Sequence, residues 1–157
     1  MRLIAVSPSQ WDVARAPILT FIRRYGEDRI THRTRRWLGK LSSTGLQIKG
    51  TYIAAMFNRR TLIGVLAIQQ HGRRHACVVV HPRFRRQGVG EQLLQAALQQ
   101  LDFLYARVAI DNIASLRLCF SCGLLAYKMT RGITQKSTLH FIGGKAIPSL
   151  DKIMLDP

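Results

Sequence analysis

Residues 77–98 read CVVVHPRFRRQGVGEQLLQAAL and join three unlike pieces of chain. Cys77 to Val80 is a short apolar run of strand type. His81-Pro82 turns the chain. Three arginines (Arg83, Arg85, Arg86) lead into Gln87-Gly88-Val89-Gly90, and leucines at helical spacing follow directly. A glycine loop between a strand and a helix N-terminus suits an anion. Glycine lets backbone approach closely, first-turn N–H groups point outward, and the helix dipole favours negative charge there. Arginines add charge. The expectation is therefore a phosphate-binding loop.

Outward from this stretch the pattern is alternating. On the N-terminal side, Thr51 to Phe57, Leu62 to Gln69 and His75 to Val80 are rich in β-branched and apolar residues, with turns at Asn58-Arg59-Arg60 and His71-Gly72-Arg73-Arg74. They predict a three-stranded antiparallel meander with Gly72 at a hairpin tip. Leu46 to Lys49 is a further short strand candidate. On the C-terminal side, Leu93, Leu94, Ala97, Leu98, Leu101 and Leu104 keep helical spacing. Glu91 sits in the first turn, the favourable end for a carboxylate. Tyr105 to Ile110 then reads as a strand parallel to the one before the loop, which would close a β-α-β crossover. Asn112 is placed to cap a short helix ending at Gly123, and Leu124 to Met129 and Ser137 to Ile142 predict two last strands.

The N-terminal third is helical. Leu3 to Val6 is a short strand. Ser9 is a cap candidate with Asp12 as its capping-box partner, Pro17 predicts a kink or restart near Ala16, and Gly26 is a stop. Glu27 to Thr44 predicts a second helix. On it Arg29, Arg33, Arg36 and Lys40 would share one face, with Ile30, Thr34, Trp37 and Leu41 beside them. That face is either a solvated basic side or a docking surface for an anionic substrate or RNA.

The totals frame this pattern. A chain of 157 residues predicts a single domain over residues 1–157, with 47% hydrophobic residues to fill its core. Mean hydropathy is +0.02. Lys and Arg number 24 against 8 Asp and Glu, for a net charge of +16 and a pI of about 11.2. Phosphates, nucleic acid and anionic surfaces are the partners such a charge attracts. Three cysteines (Cys77, Cys119, Cys122) and the absence of a secretory leader predict a reducing, cytoplasmic setting. No apolar run is long enough to span a membrane.

The loop lacks the Gly-Lys-Ser/Thr of a Walker motif, and Leu93 stands where a dinucleotide fingerprint needs a third glycine. Cys119-Phe120-Ser121-Cys122 is formally C-x-x-C, but too few further ligands stand near it for zinc, so no metal is expected.

With these residues in view, the chain resembles the GCN5-related N-acetyltransferases. Their Arg/Gln-x-x-Gly-x-Gly/Ala motif is matched by Arg85, Gly88 and Gly90, and the Val-x-Pro approach by Val80-His81-Pro82. Their later Asn…Leu-Tyr…Gly-Phe motif appears in altered form as Asn112, Ser115, Leu118-Cys119 and Gly123-Leu124. The resemblance implies a mixed, mostly antiparallel sheet flanked by helices, around a β-α-β cofactor-binding core. It implies an acetyl-CoA-dependent N-acetyltransferase. Backbone of Val78, Val79 and Val80 would hold the pantetheine arm. The loop Arg85, Arg86, Gln87, Gly88, Val89, Gly90 and Glu91 would wrap the pyrophosphate through main-chain N–H groups, and Asn112 would contact the arm further on.

The chemistry departs from the family's habit. Between Thr51 and Tyr105 the acidic residues are Glu91 and Asp102, neither on a central strand. A branch of the family places its base five residues before the Asn, where this chain has Arg107, and its acid, usually Tyr, at the position of Cys119. His75 as base, Cys119 as acid, Tyr127 as an alternative acid, and positioning with water as proton carrier all stand as expectations. With 8 acidic residues a pocket for a polycation is hard to assemble, so the expected acceptor is a primary amine on a neutral or anionic molecule, aminoacyl-tRNA included. The alternative is a non-catalytic acyl-CoA sensor or RNA-binding module. A homodimer is compatible with either.

Overall fold

A computed structural model describes residues 1–131, 136–149 and 152. The elements run β1 (Arg2–Ala5), α1 (Pro8–Tyr25), a 3-10 turn (Glu27–Arg29), α2 (His32–Lys40), α3 (Ser43–Leu46), β2 (Tyr52–Asn58), β3 (Thr61–Gln69), a 3-10 turn (Gln70–Gly72) and β4 (His75–Val80). A 3-10 turn (Pro82–Phe84), α4 (Val89–Leu101), β5 (Phe103–Ala109), α5 (Ile113–Ser121), β6 (Leu125–Arg131) and β7 (Ser137–Gly144) follow. Seven residues of the tail, 150, 151 and 153–157, lie outside the described part.

The strands form two antiparallel sheets, β1-β2-β3-β4 and β5-β7-β6. In the first, Ala55 faces Val65 and Val65 faces Val79. In the second, Tyr105 faces Ile142. β2 and β3 are buried on both faces, which is why they read as continuous apolar runs rather than alternating ones. One face packs Ile53, Val65, Ala67, Cys77 and Val79 against Trp11, Ile18 and Ile22 of α1 and Leu38 of α2. The other packs Ala54, Met56 and Leu66 against Val89, Leu93 and Ala97 of α4, a core continued by Leu104, Val108 and Phe141 of the second sheet. Trp11 Nε1 donates 2.7 Å to the Leu41 carbonyl, tying α1 to the chain after α2.

The expected parallel pairing of β4 with β5 does not form: among the described residues no ladder joins them, and each is an edge strand of its own sheet. Polar and backbone contacts join the two sheets just before β4. Gly72, at φ +87°, lies against the carbonyl of Tyr105 so closely that a Cβ has no room, and Arg107 Nη2 donates 2.6 Å to the Arg73 carbonyl. Gly72 is thus a point of sheet-to-sheet contact within a 3-10 turn, not the tip of a free hairpin.

Other boundaries shift for local reasons. Ser7, not Ser9, caps α1, and its N–H donates 2.9 Å to Gln10 Oε1. Pro17 lies inside an unbroken α1 because the N–H it lacks would serve Val13, on the same exposed side of the helix. The helix expected over residues 27–44 divides. Thr31 accepts from Thr34 N at 3.2 Å to start α2, and Ser42 accepts from Gly45 N at 3.0 Å to start α3. Arg29 therefore leaves the four-cation face, while Arg33, Arg36 and Lys40 remain exposed on α2. Leu46 ends α3 as a buried residue, so no strand forms at 46–49. Asp102, at φ +65°, stops α4 and puts Leu104 in β5.

Gly72 and Gly123 (φ +82°) share a left-handed backbone, but a Cβ at Gly123 meets open space. Gly123→Ala should cost about 1 kcal/mol, and Gly72→Ala about 3 kcal/mol or more, since the carbonyl of β5 must also move. Urea unfolding of the two variants measures the difference.

Candidate active site

At the end of β4 the N–H of His81 bonds to the Ile63 carbonyl at 2.8 Å, holding the exit of the strand to β3. The chain then passes Arg86 at φ +62° and Gly88 at φ +82°, the N-cap of α4. The first bond of the helix ladder is Gln92 N to Gly88 O at 3.0 Å, so the amides of Val89, Gly90 and Glu91 precede the ladder. A Cβ on Gly90 would come 3.5 Å from Leu118 and 3.9 Å from Val78, which brings α4, α5 and β4 together at this point.

The loop's side chains are turned away from this cradle. Arg85 reaches back, with Nε 3.1 Å from the Val80 carbonyl, Nη1 3.1 Å from Glu27 Oε1 and Nη2 3.4 Å from the Tyr25 carbonyl. Gln87 Nε2 donates to the Arg83 carbonyl at 3.0 Å, and Glu91 Oε1 accepts from Ser121 Oγ at 3.2 Å. Backbone amides and the exposed Arg83 and Arg86 are what the loop presents. Such a cradle fits a pyrophosphate.

Val78, Val79 and Val80 lie on the edge strand that feeds the loop, laddered to β3 on one side and, among the described residues, to nothing on the other. Val78 and Val80 turn their side chains toward the α4 core, and Cys77 and Val79 toward α1. Asn112 caps α5, its Oδ1 accepting from Ser115 N at 3.3 Å.

The three proton-transfer candidates are not brought together. His75 sits at the opposite end of β4 from the loop. Its Nδ1 is 3.0 Å from Thr34 Oγ1 and its ring stacks on Trp37 at 5.0 Å. Burial, with Arg33, Arg74 and Arg107 adding to it, lowers its pKa and keeps the ring neutral. Cys119 lies in the core on the α4 side, 5% exposed, and burial raises its pKa to about 11. Tyr127 belongs to β6, with ring contacts to Tyr105 at 6.4 Å and His140 at 6.3 Å.

The structure adds residues that the sequence pattern had not marked. The 3-10 turn between α1 and α2 bridges the ends of both edge strands. Glu27 holds Arg85 beside β4. Arg29 Nη1 bonds Asp111 Oδ1 at 2.9 Å just past β5, and Lys136 Nζ is 3.1 Å from the other oxygen. Hydrogen bonds from Arg29 and Lys136 lower the pKa of Asp111. A hollow of about 350 Å³ lies against Glu27, Asp28, Arg29 and Lys136. The available signal was scarcity: three of the chain's 8 acidic residues (Glu27, Asp28, Asp111) gather here.

His71, His75 and His140 all have pKa values lowered first by burial. His140 also feels Lys128 and Arg107, and His71 feels Lys49, Arg73 and Asp102. Each binds its proton less readily folded than unfolded, so their contribution is intact above the ordinary histidine pKa of about 6.5 and is lost as pH falls through it. The urea midpoint should fall between pH 7.5 and 5.5, and His75→Gln should flatten that fall. An unchanged pH slope in the variant would remove His75 from this role.

Residues 49–120 match the acetyltransferase (GNAT) domain family. No curated protein matches the chain by sequence. Among solved structures the chain is similar to yncA from Salmonella typhimurium with its cofactor acetyl-CoA, at 12% identity and TM-score 0.64, covering 94% of this chain and 95% of that one. It is similar to ribosomal-protein-alanine N-acetyltransferase from Brucella melitensis, at 14% and 0.62, covering 92% and 99%. It is also similar to a spermidine N-acetyltransferase variant from Vibrio cholerae, at 14% and 0.64, covering 92% and 93%. At these identities the structures speak for the fold. The segment that matches the family holds β4, the glycine loop, α4 and most of α5, and it is in this segment that the chain is similar to the GNAT acetyltransferases.

Proposed function

We propose that residues 1–157 act as one acetyl-CoA-dependent N-acetyltransferase domain, working in the cytoplasm, whose acceptor is a primary amine on a neutral or anionic molecule. One observation carries this: β4 has an outer edge with no ladder among the described residues and leads into the amide cradle at Gly88–Glu91. Acetyl-CoA supplies an activated acetyl group as a thioester. The edge of Val78–Val80 holds the pantetheine arm by main-chain pairing. The amides of Val89 to Glu91 hold the pyrophosphate, with Arg86 beside them. An amide of the Val78–Val80 edge, directed at the thioester carbonyl, stabilises the negative charge that develops there when the amine attacks.

For the protons, His75, Cys119 and Tyr127 remain the candidate base and acids, but His75 lies at the other end of β4 and Cys119 in the core, so positioning with water as proton carrier is the account this geometry supports best. The hollow at the 3-10 turn receives the acceptor. Glu27 and Asp111 are neutralised there by Arg85, Arg29 and Lys136, and only Asp28 has no ion pair among the described residues. That balance disfavours a polyamine such as the one named for the Vibrio cholerae relative. It favours an acceptor like the protein alanine named for the Brucella one.

A second reading rests on Arg33, Arg36 and Lys40, exposed together on α2 in a chain of net charge +16. They suit an RNA backbone, either on a non-catalytic acyl-CoA sensor or as the dock for aminoacyl-tRNA.

Calorimetry with acetyl-CoA tests the first reading. Gly88→Glu and Gly90→Glu should abolish binding while circular dichroism shows the fold retained. Unchanged affinity would move the cofactor elsewhere. In a transfer assay, peptides with a free N-terminus should outrun spermidine and kanamycin, and rapid turnover of either polycation would overturn the acceptor class. Acetyl-CoA binding without transfer to any amine, together with RNA affinity that falls steeply with salt and is lost on replacing Arg33 and Arg36, would favour the second reading.

A further inference from the structure

The basic face of α2 does not stop at the helix. Thr34 and Trp37, sequence neighbours of Arg33 and Arg36, both touch His75 at the start of β4. Thr34 Oγ1 is 3.0 Å from His75 Nδ1, and the Trp37 and His75 rings stack at 5.0 Å with 11° between their planes. Arg74 precedes His75, and beside it the Arg73 carbonyl accepts from Arg107 Nη2 of β5 at 2.6 Å. This chain of contacts carries exposed cations from α2 (Arg33, Arg36, Lys40) over the junction of the two sheets to Arg74 and Arg107. We infer that the track is a docking surface for single-stranded RNA, which crosses from α2 over the start of β4 to β5. The inference rests on the second reading above and extends it, since that reading concerns α2 alone.

None of these cations forms an ion pair among the described residues. The charges acting on His75 are Arg33, Arg74 and Arg107, with no carboxylate among the described residues to offset them. Arg107 also acts on His140, together with Lys128. Carboxylates are placed elsewhere: Glu27 and Asp111 pair around the 3-10 turn, and Glu91 accepts from Ser121. A run of unneutralised cations repels itself, and a polyanion relieves that repulsion.

The surroundings favour a phosphate backbone over other polyanions. Among the described residues, no exposed large apolar side chain lies on α2, β4 or β5. A membrane surface or an acidic protein would call for such residues, to insert or to form an interface core. A phosphate backbone is held by charge.

The middle of the track is aromatic, and that favours a single strand. Trp37 and His75 are both only partly buried. Yet Trp37 Nε1 is shut off from water and has no hydrogen-bond partner. A buried donor without an acceptor is costly, and a base carbonyl seated on the edge of the ring pair would supply one. His75 uses Nδ1 on Thr34, which leaves Nε2 for a base. Bases are open to such contacts in a single strand, whereas an RNA duplex shows chiefly its shape and backbone.

The test is fluorescence anisotropy on the full chain with three labelled probes: an RNA single strand of about ten nucleotides, the same sequence as a duplex, and heparin, a polyanion without bases. The single strand should bind, and the duplex about tenfold more weakly. Arg74→Gln and Arg107→Gln should each weaken the single strand and lower the slope of log affinity against log salt by about 0.7. Arg107→Lys, which keeps the charge, should restore the slope. Trp37→Phe keeps a ring beside His75 and should weaken RNA about fivefold while heparin binds as before. Gly88→Glu should bind RNA normally. RNA binding that needs Arg33 and Arg36 but ignores Arg74→Gln and Arg107→Gln overturns this inference and leaves the α2 reading standing. No RNA binding at all overturns both. The inference is also overturned if the duplex binds as well as the single strand, if Trp37→Phe weakens RNA and heparin equally, or if Gly88→Glu abolishes RNA binding.

Discussion

The unladdered edge of β4 is the constraint on which the rest of this structure depends. Backbone N–H and C=O groups require partners, and an open edge invites pairing. This edge is kept open by contacts at both of its ends. At the start of β4, Gly72 against Tyr105 and Arg107 on Arg73 bring the second sheet close without a ladder. At the far end the strands are bridged by ion pairs: Glu27 to Arg85 on one and Arg29 to Asp111 on the other, both from a single 3-10 turn. The two sheets are thus held together near both ends of β4, with no ladder between β4 and β5 among the described residues.

That arrangement also explains how the charges are distributed. The protein is strongly basic, so its general field draws anions such as a polyphosphate. Yet one of the loop's arginines is used structurally: Arg85 is held by Glu27 and two carbonyls. On the proposed reading, anion binding there falls to the backbone of an αL glycine and a helix N-terminus, which need no side-chain ordering. The scarce carboxylates lie at joints. Glu27 and Asp111 bridge the edge strands, and Glu91 ties α4 to Ser121 of α5. Asp102 ends α4.

What was legible in the sequence is what short-range chemistry determines. The meander, the loop, α4 and the Asn112 cap could be read because strand runs, glycines and caps act over a few residues. Errors arose where two local signals competed. Ser7 and Ser9 both offered a cap, and Gln10 rather than Asp12 completed the box. Thr31 and Ser42 divided what periodicity alone joined into one helix. The pairing of β4 with β5 was misjudged because a β-α-β order gives the direction of the strands but not whether their edges meet. The bridge from Arg29 to Asp111 spans 82 residues of sequence and left no local trace. Burial, equally non-local, decided the state of the candidate proton carriers: it placed Cys119 in the core and set His75 on Trp37.

The most direct measurement is residue-resolved amide hydrogen exchange with and without acetyl-CoA. If β4 accepts the pantetheine arm and the α4 N-terminus holds the pyrophosphate, outward amides within Val78–Val80 and the amides of Val89, Gly90 and Glu91 should become strongly protected on binding. The inner amides of β3 should change little. Saturating acetyl-CoA that leaves both segments exchanging as in the free protein would contradict the open edge as the cofactor's seat.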